Sequence, residues 1–239
     1  SGIKYFVLGA LSSGILLYGC SLIYGFTAST NFNDIFNIII SLDKLNLGII
    51  FGLVFILVGM AFKASAVPFH MWTPDVYEGA PTAVTAFFAI VPKVAAIALL
   101  YRFCLEPFAG FYKEWSQIII FLSISSMFLG AIAAIAQTNI KRLLAYSSIG
   151  HVGYVLIGLA SFNSEGVKGA VIYMLIYVFM NVAIFTIILS LKLKDKYIEK
   201  ISDLSGLSKA KPIISVCIAI IMLSMAGIPP FAGFFGKFY

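Results

Sequence analysis

Two lysines lie within apolar stretches of the sequence that are long enough to cross a membrane. Lys63 lies in the stretch 47–69, and Lys93 lies near the middle of the stretch 82–101. A charged side chain at the centre of a bilayer costs about 2.5–3.5 kcal/mol on insertion scales. Such side chains persist mainly where they face a bundle interior, a partner or a water-filled path, which predicts ion handling. For Lys63, close to Pro68, extension to the lipid headgroups is an alternative, whereas Lys93 is too central for it.

Small and polar residues recur at helical spacing on the same stretches. Residues three and four positions apart share one face of a helix, so these residues form stripes. Ordinary helix–helix packing explains the glycine and alanine members, but it does not explain the lysines or the histidine. A line of polar side chains through a helix bundle explains both the small residues and the charged or titratable ones. The charged or polar members of these stripes are Lys63, Lys93, His151 and Asn181, with Ser147 and Tyr154 beside His151.

The composition predicts an all-α membrane protein. Of the 239 residues, 61% are hydrophobic and 11% are charged, and the mean hydropathy is +1.03, unlike that of an ordinary soluble domain. A span needs about 20 apolar residues, and lipid requires internally paired backbone groups, so such stretches predict helices. We expect a polytopic helical bundle of about seven transmembrane helices in a single membrane domain, residues 1–239. The stretches are 5–26, 47–69, 82–101, 116–137, 143–161, 169–191 and 212–235.

The net charge of +6 is best explained by membrane orientation. Nine lysines and arginines lie in the N-terminal stub and in the second, fourth and sixth loops, against four on the opposite side. The positive-inside bias therefore predicts that the N-terminus and the loop 192–211 face inward. Nucleic acid is not an expected partner, because a lysine-rich loop beside a span is normally this orientation signal. The nine are Lys4, Lys141, Arg142, Lys192, Lys194, Lys196, Lys200, Lys209 and Lys211; the four are Lys44, Arg102, Lys113 and Lys168.

Neither a metal site nor a cofactor is predicted. Cys20, Cys104 and Cys217 are isolated, without a paired cysteine or a histidine at ligand spacing. The chain does not begin with Met and stops at Tyr239, two residues after Lys237, so we expect a fragment of a longer protein.

Proline interrupts two of the predicted spans. The motifs are AVPFH at 66–70 and GIPPFAG at 227–233. Proline removes a helical hydrogen bond, and irregular backbone at membrane depth needs cover from protein or water. Interrupted segments in corresponding positions of two halves are a pointer to a transporter site. Because the two spans run in opposite directions, they suggest an inverted repeat, with 1–101 ending the first repeat and 116–239 forming most of the second.

Three segments resemble one protein family. FKASAVPFHMWTPDVYEGAPT at 62–82 resembles the signature of the antiporter-like membrane subunits of respiratory complex I, the NADH:quinone oxidoreductase, and TPDVYEGAP is similar to its N-type subunits. KRLLAYSSIGH at 141–151 and AGIPP at 226–230, followed by GKFY at 236–239, extend the resemblance along the chain. Ala83 departs from a proline that many relatives carry.

The resemblance implies a proton-translocating subunit that comprises the sixth to twelfth of fourteen helices. It implies proton transfer by Lys63, Lys93, His151 and Lys237, with the glutamate partner of Lys63 on a preceding helix outside this chain. The implied partners are the other membrane subunits of complex I, the lipid bilayer and protons. Quinone reduction would occur in other subunits, and the location would be the bacterial inner membrane or the mitochondrial inner membrane.

Two other functions fit the same residues. One is a free-standing cation/proton antiporter, and the other is a scaffold subunit that does not pump. The lysines argue against the scaffold. The residues at 75–79 weakly favour a subunit of complex I over a free-standing antiporter. We also expect His151 to relay protons, because histidine titrates near neutral pH. We do not expect it to bind metal. His70 and the loop 72–81 are expected at the inner surface with a structural role.

Overall fold

The computed structural model describes residues 1–42, 46–193 and 196–238. Six of the described helical segments are long and apolar enough to cross a membrane, and α10 is a shorter apolar helix. The predicted all-α membrane bundle is therefore confirmed. Lys44, Lys194 and Tyr239, used above, lie outside the described residues. The helices are α1 (Gly2–Thr27), α2 (Phe32–Ile40), α3 (Leu47–Ala64), α4 (Thr73–Gly79), α5 (Thr82–Leu105), α6 (Tyr112–Ile135), α7 (Ile140–Ala160), α8 (Ser164–Ser190), α9 (Leu207–Ala210), α10 (Pro212–Ala226) and α11 (Ala232–Phe238); β1 (Lys192–Leu193) pairs antiparallel with β2 (Lys196–Tyr197), and 3-10 turns lie at Ala109–Phe111 and Ile201–Leu204.

Asparagine begins four of the helices. In each case the side-chain oxygen accepts a hydrogen bond from a backbone N–H of the first helical turn, which would otherwise lack a partner. Asn139, for example, accepts from the N–H groups of Lys141 at 2.8 Å and Arg142 at 3.3 Å. The four N-cap residues are Asn31, Asn46, Asn139 and Asn163.

Three predicted boundaries were wrong. The second span ends at Ala64 and not at residue 69, and the seventh ends at Ala226 and not at residue 235, because each helix stops before its prolines. The expected loop 72–81 contains the helix α4. This helix has proline in its first turn and Asp75 near its N-terminus, both of which favour a helix start.

The two proline breaks have the same backbone pattern. Ser65 and Gly227 are left-handed, with φ of 67° and 85°. The next N–H in each break reaches back five residues, from Ala66 to the Ala61 carbonyl at 2.8 Å and from Ile228 to the Leu223 carbonyl at 3.1 Å. This is the Schellman arrangement of a helix end.

Side chains satisfy the backbone groups that each break leaves free. At the first break, Ser126 accepts from the N–H of Val67 at 2.9 Å, and Trp72 Nε1 donates to the Phe62 carbonyl at 2.9 Å. At the second break, Ser224 Oγ accepts from the N–H of Gly233 at 3.0 Å. Protein covers the first break, where Ala66 and Val67 are buried, as the membrane interior requires, whereas Ile228, Pro229 and Pro230 of the second break are exposed on this chain.

The connections between helices fall into two groups at opposite ends of the bundle. At the Arg142 end, Arg142 meets α4, and the N–H of Ile140 donates to the Glu199 carbonyl at 2.8 Å. At the Arg102 end, the rings of Tyr112 and Phe162 stack at 4.7 Å. The loops that the charge count placed on one side therefore do share one end of the bundle.

Helices α6 and α7 approach closely at a glycine. A Cβ atom at Gly130 would lie 2.7 Å from the backbone nitrogen of Gly150 and 3.0 Å from the Tyr146 carbonyl oxygen. Backbone atoms cannot move aside as a flexible side chain can. The close approach of α6 and α7 therefore depends on glycine, which has no side chain, at position 130.

Gly130→Ala is expected to destabilise the protein by about 1–3 kcal/mol, because it forces α6 and α7 apart. The matched control is Gly150→Ala on the facing helix, where a Cβ meets nothing within 4 Å. That variant is expected to be neutral or slightly stabilising, since alanine favours a helix over glycine. Thermal unfolding of the full-length protein in detergent measures both. Equal midpoints for the two variants would contradict this packing argument.

Candidate functional site

Lys93 is completely buried inside the bundle. It lies on α5, on the stripe whose members Ala89 and Ala96 are also buried. Its Nζ donates a hydrogen bond to Ser148 Oγ on α7 at 2.6 Å. Ser148 Oγ in turn donates to the Ala145 carbonyl at 2.7 Å, so its lone pair is oriented toward the lysine. No carboxylate accompanies this cation among the ion pairs of the described residues.

His151 lies three residues after Ser148, on the same face of α7. It is 5% exposed, and its Nδ1 lies 2.5 Å from the hydroxyl oxygen of Tyr173 on α8. Its Nε2 is buried and has no hydrogen-bond partner in the described part of the chain. One ring nitrogen is thus engaged by a phenol, and the other is without a partner among the described residues.

Tyr177 fixes α8 against α5 beside the histidine, and Asn181 lies one turn further along α8. The Tyr177 hydroxyl donates to the Ala89 carbonyl at 2.7 Å, and its ring lies 5.5 Å from the ring of His151. Asn181 Nδ2 donates to the Tyr177 carbonyl at 2.8 Å within the same helix. The polar stripe predicted on this helix therefore faces the site.

Lys237 lies on α11, directly after the second proline break. Its Nζ donates to the carbonyls of Met225 at 3.0 Å and Ala226 at 3.1 Å, the last residues of α10. It also lies 4.7 Å from the ring centroid of Tyr154 on α7. A cation at the C-terminal end of a helix is favoured by the partial negative charge of the free carbonyls.

These contacts, together with the i, i+3 spacing of Ser148 and His151 on α7, place the polar side chains in one row. Rings of Tyr154 and Tyr173 lie 6.0 Å apart, which connects the histidine to the second lysine. We call this set the Lys93–Lys237 row; its members, in order, are Lys93, Ser148, His151, Tyr173, Tyr154 and Lys237.

Lys63 lies apart from this row. It is exposed on the last turn of α3, and within the described ranges no hydrogen bond or ion pair reaches its ammonium group. Of the four residues that the sequence nominated, the structure brings three together and leaves Lys63 on the outer face of the bundle.

Two residues that meet Lys93 were missed from the sequence. Ser147 was placed on the histidine stripe, but it is Ser148 that bonds to Lys93; the signal was its spacing of three residues from His151. Tyr77, on α4, has its ring centroid 5.4 Å from Lys93 Nζ. No sequence signal found Tyr77, because its segment was predicted to be a surface loop.

Helix α4 is attached to the Arg142 end by charged groups. Arg142 Nη1 lies 2.9 Å from carboxylate oxygens of both Asp75 and Glu78, and Lys4 also pairs with Asp75. Lys141 Nζ donates to the Ala80 carbonyl at 3.1 Å, just beyond the helix. The hydrogen bond from Lys4 and the charge of Arg142 hold the pKa of Asp75 below its ordinary value, so these contacts persist at neutral pH.

His70 lies between the first break and α4. It is half-buried, and burial lowers the pKa of its imidazole, which favours the neutral form. Its Nδ1 has no hydrogen-bond partner among the described residues. The described residues contain no group of three His, Cys, Asp or Glu side chains that could hold a metal ion.

A cavity of about 290 Å³ connects the far end of the row to the Arg102 end of the bundle. Tyr154, Tyr173 and Lys237 line its inner part, and Asn163 and Glu165 from the start of α8 line its mouth. Glu165 is exposed and paired with Lys168 at 2.8 Å. The cavity gives Lys237 a polar route toward the surface.

The helical spans, the proline breaks and the buried Lys93 define a polytopic membrane protein with ionisable groups inside its bundle. A model of the NADH:quinone oxidoreductase/Mrp antiporter transmembrane family matches residues 1–239, and the chain belongs to this family. It is 61% identical over 239 residues to NADH-quinone oxidoreductase subunit N of Pelagibacter ubique, and 58% identical to subunit N of Rhodospirillum rubrum. All of the chain aligns with each, and it spans about half the length of these curated relatives, at 50% and 49%.

Two solved structures share the fold. One is respiratory complex I from Thermus thermophilus with bound aureothin, at 37% identity and a TM-score of 0.81, covering 99% of this chain and 50% of that chain. The other is the Mrp complex from Dietzia sp., at 29% identity and a TM-score of 0.88, covering 98% and 43%. The similarity to N-type subunits of complex I that the 62–82 segment suggested is confirmed.

Proposed function

We propose that this chain is a proton-translocating part of a membrane subunit of NADH:quinone oxidoreductase. The observation that carries the proposal is the Lys93–Lys237 row, a set of neighbouring ionisable and hydroxyl side chains that runs from the buried Lys93 to the partly exposed Tyr154 and Lys237. Each member can donate or accept a hydrogen bond, and the row runs from a completely buried lysine to a lysine beside a cavity.

The chemistry of the row suits proton transfer. A lysine can release a proton to a hydroxyl or a water, and histidine can accept and release one near neutral pH. The tyrosine hydroxyls can both donate and accept, so they extend a hydrogen-bonded path between the stronger bases. In contrast, a sodium or potassium ion prefers several convergent oxygen ligands, and the row offers three hydroxyl oxygens and no carboxylate beside its three nitrogen groups. Protons therefore fit the row better than metal cations.

The relatives support the wider assignment. The chains at 61% and 58% identity are subunit N of NADH-quinone oxidoreductases. By analogy, this chain would assemble with the other membrane subunits of such a complex, and quinone reduction elsewhere in the complex would drive proton movement through it. Lys63, exposed on α3, would then meet a carboxylate supplied by a helix outside this chain.

The matching proline breaks support the proposed inverted repeat. On this proposal, residues 1–101 end the first repeat and residues 116–239 form most of the second. Each break would interrupt a membrane helix beside the proton path, with Lys63 before the first break and Lys237 after the second.

The Mrp complex is the alternative that a specific observation favours. It has a TM-score of 0.88 with this chain, against 0.81 for the complex I structure. The fold alone is thus compatible with a cation/proton antiporter. Sequence identity favours complex I, at 37% against 29%.

The deciding experiment isolates the full-length protein through an affinity tag and reconstitutes the co-purified complex in liposomes. We expect NADH and quinone to drive proton uptake that an uncoupler abolishes. An imposed sodium gradient without NADH is expected to move no protons. Sodium-driven proton movement without NADH, in a preparation that lacks quinone reduction, would instead establish the antiporter.

A further inference from the structure

Tyr77 is the residue of α4 that faces Lys93. It is completely buried, and its ring centroid lies 5.4 Å from Lys93 Nζ. A cation within about 6 Å of an aromatic ring face is attracted to it, most strongly when both are removed from water. The pair is therefore a cation–π contact in a buried setting.

The hydroxyl group of Tyr77 takes no part in this attraction. It lies near Ser148 but does not reach hydrogen-bonding geometry with any residue that the structure describes. Among the described residues, the contacts that position Tyr77 are those of its backbone carbonyl and its ring.

The chain fixes α4 from both sides so that Tyr77 points at the lysine. From within the bundle, Thr85 Oγ1 on α5 donates to the Tyr77 carbonyl at 3.0 Å. From outside, Arg142 Nη1 holds Asp75 and Glu78, which flank Tyr77 in the same short helix. Because Arg142 binds the carboxylates of Asp75 and Glu78 on the outer side of α4, the phenol of Tyr77 faces the interior of the bundle.

The Arg142 contact also links Tyr77 to the row. Arg142 lies on α7, the helix that supplies Ser148 and His151. Helix α7 thus positions both the Ser148 hydroxyl, which accepts a hydrogen bond from Lys93, and the short helix α4, which covers Lys93 from the other side.

We propose that Tyr77 is a positioning residue for proton transfer at Lys93: its ring holds the ammonium group against Ser148 and covers it toward the Arg142 end. This inference deepens the proposed function and rests on it, because it assigns Tyr77 a role in the same proton path. It predicts that the aromatic ring is needed and that the hydroxyl group is not.

The test compares Tyr77→Leu with Tyr77→Phe in the full-length subunit of the assembled complex. Proton pumping is measured in membrane vesicles at matched rates of NADH oxidation. Tyr77→Leu is expected to lower pumping about tenfold, since the cation loses its ring contact. Tyr77→Phe is expected to restore it to the wild-type level. Tyr112→Leu, which removes a tyrosine at the Arg102 end, is the control and is expected to pump normally once assembled.

A double-mutant cycle provides a readout that does not depend on pumping. Tyr77→Leu is introduced into the wild type and into Lys93→Met, and the thermal midpoint of the complex is measured for each. If the ring acts on the cation, Tyr77→Leu lowers the midpoint more in the wild type than in Lys93→Met. A tyrosine that only fills space would cost the same in both, and that result would overturn the inference.

The remaining outcomes separate the two proposals. Normal pumping by Tyr77→Leu together with lost pumping by Lys93→Ala would refute the role of Tyr77 alone. Normal pumping by both variants would refute the proposed proton path itself. Equal impairment of Tyr77→Phe and Tyr77→Leu would show that the ring attraction is not the basis of the role.

Discussion

Lys93→Ala is expected to abolish NADH-driven proton pumping through this subunit while the protein remains inserted and assembled. Lys93 is the completely buried end of the row, and no other residue of the row can replace its ammonium group beside Ser148. The substitution removes a buried charge and leaves Ser148 bonded to the Ala145 carbonyl. The fold should therefore tolerate it better than the proton path does.

The measurement is proton uptake by vesicles, normalised to the amount of assembled complex. Lys113→Ala is the matched control, because Lys113 is an exposed lysine at the Arg102 end. It should leave pumping unchanged. Normal pumping by Lys93→Ala at normal subunit levels would refute the central role of this lysine.

His151→Gln is expected to slow pumping by about tenfold or more, in line with the loss of a positioned acid–base group. Glutamine can keep a hydrogen bond to the Tyr173 hydroxyl, but it cannot take up and release a proton near neutral pH. The defect should therefore appear in pumping and not in assembly. Rates are compared from pH 6 to 8.

The other histidine of the chain serves as the control for this variant. His70 is half-buried beside the first break, away from the row, so His70→Gln should pump at close to the wild-type rate. Wild-type rates for His151→Gln across the whole pH range would mean that His151 is only a buried histidine satisfied by a neighbouring hydroxyl. The relay would then have to pass through the tyrosines and water alone.

The sequence predicted the bundle because its signals are long and local. Apolar stretches of about 20 residues specify spans in any context, and the prolines at 68 and 230 specify the breaks. Lys93 and His151 were found because a charged or titratable group in an apolar stretch needs a reason to be there, whereas Lys237, beyond the stretch 212–235, was nominated by the family resemblance. The charge count also grouped the loops correctly, because successive loops lie at alternate ends of the bundle.

Residues whose role depends on tertiary contacts were harder to predict. Ser147 and Ser148 are equivalent in the sequence, and only the rotation of α7 against α5 decides which one meets Lys93. Tyr77 lies in a segment rich in proline, glycine and acidic residues, which suggests a loop. Its carboxylates are bound by Arg142, which lies 64 residues beyond Glu78. Contacts of that kind leave no periodic trace in the sequence.

The way in which Lys237 is held has a consequence for how many protons the row can carry. Its partners are carbonyl dipoles at the end of α10, and none of the six members of the row is an acid. Each added proton therefore adds a full positive charge that no neighbour within the row cancels. Like charges repel each other more strongly in a protein interior than in water. On the proposed proton path, a proton that arrives at Lys93 would therefore weaken the hold on one already at Lys237, so that loading one end of the row would promote unloading at the other.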